Sequence, residues 1–206
     1  MTENGVLNDK IKDEEWRRNV ESDGSAEDLY QLGLAYHTGQ GLAVNKANAV
    51  KLFLKAADQG NSDALMALSE IYFSGDGAKV HKKKAQEYFF KAVEKGNPRA
   101  QVIVGWSHYF DGSGPVNKAK AIECWKKAAE QGHANAQFYL GVMCESGDGV
   151  PLDPALAFKW YLKAADLGDA RAQYNLAVTL ASGQGVPVDQ AKAMELFKKA
   201  ANQGFA

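Results

Sequence analysis

Small and apolar side chains return along this chain every 36 residues, with mostly polar positions between them. Ala49, Ala85, Ala121, Ala157 and Ala193 form one column of that cycle; Ala56, Ala92, Ala128, Ala164 and Ala200 form another, one heptad later. Phe53, Phe89, Trp125, Tyr161 and Phe197 stand between the two columns. Small residues a heptad apart on one helical face let a second helix approach closely, and an aromatic side chain fills the space they leave. The pattern predicts helices near 46–59, 82–95, 117–131, 154–167 and 190–203. Lys55, Lys91, Lys127, Lys163 and Lys199 fall in their last turns, where a cation suits the negative end of the helix dipole.

A partner helix precedes each of these. Leu32, Leu68, Val104, Leu140 and Leu176 are each followed by a small residue, namely Gly33, Ser69, Gly105, Gly141 and Ala177. Such a stripe predicts first helices near 26–38, 62–74, 98–111, 134–146 and 170–182. Glycines at 24, 60, 96, 132, 168 and 204 mark a repeating turn after each second helix, in the left-handed conformation that suits glycine. Within a pair the loops read Gly39-Gln40-Gly41, Gly75-Asp76-Gly77, Gly147-Asp148-Gly149 and Gly183-Gln184-Gly185, and Gly112-Ser113-Gly114 stands one residue late. A phosphate-cradling loop needs a preceding strand and a lysine followed by Ser or Thr, which these loops lack.

Residues 10–23 align with a second helix, with Trp16 and Arg17 at the large positions, and predict the N-terminal cap that a repeat array needs. The expected organisation is a flexible start at 1–9 and a capping helix at 10–24. Repeats at 25–60, 61–96, 97–132, 133–168 and 169–204 follow, with a remnant at 205–206. The fold class that follows is all-α: a right-handed α-solenoid of five 36-residue antiparallel helix pairs plus an N-terminal capping helix.

The segment Ala136-Gln-Phe-Tyr-Leu-Gly141, followed by Gly147-Asp-Gly-Val-Pro151 and Trp160-Tyr-Leu-Lys-Ala-Ala165, resembles the Sel1-like repeat, a relative of the tetratricopeptide repeat. Ala172-Gln-Tyr-Asn-Leu-Ala177 with Gly183-Gln-Gly-Val-Pro187 matches it again, and the second unit diverges most, carrying Ala78 in place of valine after its loop. The resemblance implies a non-catalytic scaffold or adaptor that binds a partner protein or peptide on a concave surface lined by the first helices. On that geometry the contact residues are Tyr30, Leu34 and His37, then Met66, Glu70 and Phe73, then Val102, Trp106 and Tyr109. Phe138, Val142 and Glu145 of the fourth unit and Tyr174 and Val178 of the fifth complete the expected set. Trp106 is singled out because its column reads Leu34, Glu70, Trp106, Val142, Val178, so packing does not dictate a tryptophan there, unlike the expected framework aromatics Trp125 and Trp160. The competing reading is that Trp106 only fills a gap in an irregular repeat.

Charge and composition narrow this picture. Among 206 residues, 24 Lys and Arg balance 25 Asp and Glu, so no overall bias favours nucleic acid or an anionic membrane. The run His81-Lys82-Lys83-Lys84 reads as a solvated face. The first residues lack the apolar core of a secretory signal, and no stretch approaches the roughly 18 apolar residues of a membrane span, which predicts a cytoplasmic protein without direct membrane insertion. Cys124 and Cys144 are expected to be reduced core residues. The histidines, His37, His81, His108 and His133, fall in different units without a repeated acidic or cysteine partner, so neither a metal site, a cofactor nor an enzyme is expected. A pairing of His37 with Glu70 is read as an incidental polar contact. One remote alternative is a penicillin-binding or β-lactamase-type hydrolase, as described for cysteine-rich relatives whose paired cysteines are missing here. Another is a self-associating structural segment of a longer solenoid, joined through the last helix around Leu196 and Phe197, which is expected to lack a neighbour to cover it.

Overall fold

The computed structural model describes residues 11–110 and 116–205. The expected flexible start at 1–9, the late Gly112-Ser113-Gly114 loop and Ala206 lie outside the described residues. Among the described residues there are eleven helices and no strands. A capping helix α1 (Glu14–Asp23) is followed by alternating first and second helices: α2 (Ala26–Thr38), α3 (Lys46–Asp58), α4 (Ser62–Ser74), α5 (Lys82–Glu94), α6 (Pro98–Tyr109), α7 (Lys118–Glu130), α8 (Ala134–Ser146), α9 (Pro154–Asp166), α10 (Ala170–Ser182) and α11 (Gln190–Asn202). The chain forms two compact units, Met1–Ala100 and Gln101–Ala206.

In the first unit α1 packs on α2, α2 on α3, α3 on α4 and α4 on α5. Val20 of α1 joins Leu29, Leu32, Leu52 and Phe53 in one core, which Trp16 overlies. In the second unit α7, α8, α9, α10 and α11 each pack on the next. Their buried centres are Trp125 with Ile122 and Leu140, and Tyr161 with Leu176 and Leu180.

The same backbone devices punctuate every repeat. Each second helix ends on a left-handed glycine, with φ of +88° at Gly60 and +89° at Gly168. The next residue's N–H returns to the alanine carbonyl of the second alanine column, as in Asn61 to Ala56 (3.0 Å) and Asp169 to Ala164 (3.0 Å), which satisfies an orphan helix carbonyl. Gly24 departs from its series: its φ is −64°, and glycine is needed there because a Cβ would meet the Val20 carbonyl oxygen at 2.5 Å. Second helices start on Asn45, His81, Asn117, Asp153 and Asp189, whose side chains accept the N–H three residues on.

The framework aromatics are not equivalent. Phe53, Trp125 and Tyr161 are fully buried, whereas Phe89 and Phe197 are half-buried. The difference follows the facing first helix: the buried rings lie on Gly33, Gly105 and Gly141, and the half-buried ones belong to repeats that carry Ser69 and Ala177. A ring reaches the backbone only where no Cβ stands in its way.

Candidate partner-binding faces

The first-helix face of the first unit holds a cleft of about 270 Å³. Tyr30, Leu34 and His37 of α2 and Glu70 of α4 line it together, over a floor formed by Phe53. Its polar groups are tied in pairs. Arg99 Nη2 lies 2.5 Å from Glu70 Oε1, and His37 Nε2 lies 3.1 Å from Asp76 Oδ2. Lys46, the first residue of α3, donates to the other Asp76 oxygen and holds that carboxyl below the usual carboxylate range, with His37 adding to the effect. Burial pushes the Tyr30 phenol up, and Asp63 adds to it. The carboxylate beside His37 is therefore that of Asp76, while Glu70 is engaged by Arg99.

Two expected contacts of this unit divide sharply. Phe73 is 69% exposed, but Met66 is 3% exposed and packs in the core with Leu65, Ala92 and Ala100. Met66 is corrected from contact residue to core residue, because the ends of α5 and α6 close over it.

The second unit presents an aromatic face instead. Trp106 is half-buried, stacked on Phe110 (ring centroids 5.0 Å, 11°) and edge-on to Tyr139 (4.5 Å) and Trp125 (5.0 Å). It is thus partly built into the framework, contrary to the expectation that it is independent of it. Tyr109 donates to Asp148 Oδ2 at 2.7 Å, and Lys118 donates to Oδ1. This arrangement repeats the Lys46, Asp76 and His37 cluster 72 residues earlier, with tyrosine in place of histidine. The Arg171 guanidinium lies 4.3 Å from the Phe138 ring centroid and 5.5 Å from that of Tyr139, held there by Asp169 and Asn135 at 2.6 Å each.

Tyr161 donates to Glu145 Oε2 at 2.7 Å, so Glu145 is engaged, and burial followed by that carboxylate pushes the Tyr161 phenol well up. Val142 is half-buried, Val178 is exposed, and Tyr174 lies edge-on to Phe197 (5.4 Å) and Phe205 (5.6 Å). Val102 is 5% exposed and packs against Trp125, so it too is corrected from contact to core. Leu196 is buried and Phe197 half-buried, which corrects the expectation that this region of the last helix is open.

The expected set missed Ile103. It is exposed and stands one turn before Trp106 and two before Phe110, so the three form a stripe at i, i+3 and i+7 along α6. That spacing was readable, but only by leaving the column that Trp106 occupies. Cys124 is half-buried and Cys144 buried; both are free thiols, pushed up by burial. Among the described residues no group of three or more His, Cys, Asp or Glu is placed to hold a metal ion. No described helix is long and apolar enough to cross a membrane.

The Sel1 repeat family model matches five consecutive segments, 26–61, 62–97, 98–133, 134–169 and 170–205. The chain belongs to the Sel1 repeat family. Proteins of this family mediate protein–protein interactions and are typically scaffolds without a catalytic centre. A Sel1 repeat protein from Oxalobacter formigenes is 29% identical, with a TM-score of 0.76 over 98% of this chain and 83% of that one. The protective antigen c5321 of uropathogenic Escherichia coli, which displays the same repeat fold, is 30% identical with a TM-score of 0.64; the match spans 92% of this chain and 40% of that protein. A third structure, from Klebsiella pneumoniae, is 22% identical at a TM-score of 0.52 and supports the fold alone. No curated protein matches the chain.

Proposed function

We propose that this chain is a non-catalytic scaffold that holds a partner protein or peptide on its first-helix faces. The observation that carries the reading is the stripe of Ile103, Trp106 and Phe110. Phe110 is 59% exposed, Ile103 is exposed beside it, and the repeat framework requires neither side chain. Aromatic anchors backed by rigid neighbours lose little conformational entropy on binding and dominate interface energetics. Phe110 has that backing in the ring of Trp106. In the first unit the paired charges of the cleft add selectivity, because a partner that separates Arg99 from Glu70 must replace that contact.

Affinity purification with mass spectrometry, comparing wild type with Phe110→Ala combined with Ile103→Ser, tests this reading. The expected result is a set of proteins depleted from the variant at unchanged melting temperature. Identical sets from both proteins would overturn it.

A further inference from the structure

In the second unit, a second cleft of about 290 Å³ opens between α7, α8 and α9. Ile122, Leu140 and Val150 contribute its apolar lining, with Leu156 and Trp160 of α9 along one wall. One of these residues departs from its column. Leu156 stands where the other repeats carry Asn48, Lys84, Lys120 and Lys192, and it is 39% exposed. Trp160 is half-buried: it packs against both cores of the unit, as expected of a framework aromatic, and leaves part of its ring on the cleft wall, with the Lys163 ammonium 4.7 Å from its ring centroid. An exposed apolar side chain in a column otherwise made of lysine and asparagine costs solubility and adds nothing to the repeat framework.

The polar groups of the cleft are few and unequal. Asp153 is occupied, accepting the Leu156 N–H at 2.9 Å as the cap of α9. The Cys144 thiol is kept neutral by burial. Lys126 is exposed at the rim, and among the described residues no carboxylate lies within ion-pair distance of it. The cleft therefore offers an apolar wall, one cation without an ion-pair partner, and a carboxylate seated on the N-terminus of α9, whose positive end offsets its charge. Its volume falls at the lower limit of small-molecule sites, about 300 Å³, and suits one large side chain. A peptide crossing the cleft in mid-chain would lay several amide groups against a mostly apolar lining whose polar groups are few, which is costly. A terminal residue enters end-on, leaves its upstream amides in water and brings a single charge.

We propose that this cleft receives the C-terminal residue of a partner protein, a bulky apolar side chain packed on Trp160 and Leu156 with its carboxylate on Lys126. The site shares no residue with the expected contact set or with the Ile103, Trp106 and Phe110 stripe, and stands or falls independently of them.

The test uses fluorescence anisotropy of the intact protein with labelled pentapeptides of Gly and Ser ending in Phe, Leu or Ile, each as the free acid and as the amide. At least one free acid binds, its amide binds about tenfold or more weakly, and Lys126→Glu and Leu156→Lys each lower affinity by a similar factor. Lys159→Glu, an exposed change on the same helix outside the cleft, leaves binding as it was. Leu156→Asn, the residue type at position 48, repeats the loss and guards against a folding defect, which circular dichroism melts also monitor. Absence of binding by every probe overturns the proposal, as does equal binding of acid and amide or wild-type affinity in the Lys126 and Leu156 variants. Competition by N-acetylphenylalanine as strong as by the peptide also overturns it, assigning the cleft to a free organic acid.

Discussion

The ring of Tyr161 lies against the backbone of Gly141 so closely that a Cβ there would meet its Cε1 at 2.5 Å and its Cδ1 at 2.6 Å. Both ring atoms belong to a fully buried side chain that has no room to swing away. Gly141→Ala is expected to destabilise the protein by about 1–3 kcal/mol through overpacking. Combining it with Tyr161→Leu relieves the clash, so a double-mutant cycle by urea denaturation reads a favourable coupling between the two changes. Strictly additive effects would show that the helices separate instead.

Trp106→Ala removes edge contacts to Trp125 and Tyr139 as well as a surface for a partner. It is expected to cost about 2–4 kcal/mol of stability and to weaken binding together. Phe110→Ala, at a far more exposed ring, separates the two effects: partner capture falls and the melting temperature holds. A Trp106 variant as stable as wild type would return that side chain to the free surface.

Asn97 is fully buried and fully used. Its amide donates to Asp63 Oδ1 at 2.8 Å and to Ser62 Oγ at 3.3 Å, while its carbonyl accepts the N–H groups of Arg99 and Ala100 at 3.1 Å each. Asn97→Ala strands two backbone donors and leaves Asp63 and Ser62 without this contact, at a cost of about 2–3 kcal/mol in chemical denaturation. Asn97→Asp keeps the cap but sets a carboxylate against Asp63, and is expected to recover only part of that loss. Full recovery would show that the donor side contributes nothing.

Lys118 first and Tyr109 second hold the Asp148 carboxyl below its ordinary value of about 3.9. A pKa lowered in the folded state adds stability that is present above the unfolded value and is lost as pH falls through the folded one. The stability gap between wild type and Asp148→Asn, measured by urea titration, should be widest near neutral pH and close below about pH 4. High salt narrows it as well, because the pair is partly exposed. A gap that persists unchanged into acid would assign the effect to packing of the loop.

The ten helices of the five repeats fall within two residues of the positions the 36-residue cycle predicts, because every repeat poses the same packing problem and answers it with the same columns. The faces were harder to read. Tyr30, Met66, Val102, Phe138 and Tyr174 share one column, yet Met66 and Val102 are core while Tyr174 is exposed. A column sets the direction a side chain leaves its helix; what covers it depends on neighbours that differ from repeat to repeat. Trp160 shows the same limit: it packs on both cores as expected, but only the structure shows that part of its ring stays open to the cleft. The clusters at Asp76 and Asp148 escaped notice because their lysine partners lie 30 residues away, and Tyr109 lies 39 from Asp148, both off the 36-residue cycle.

The matching of ring depth to glycine also bears on how such a chain changes over generations. Copying a whole repeat carries Gly141 and Tyr161 together and preserves their fit, whereas a single substitution at either position meets the other as an obstacle. Segments exchanged between such chains are therefore expected to keep this fit when the cut falls outside the stretch from residue 141 to residue 161.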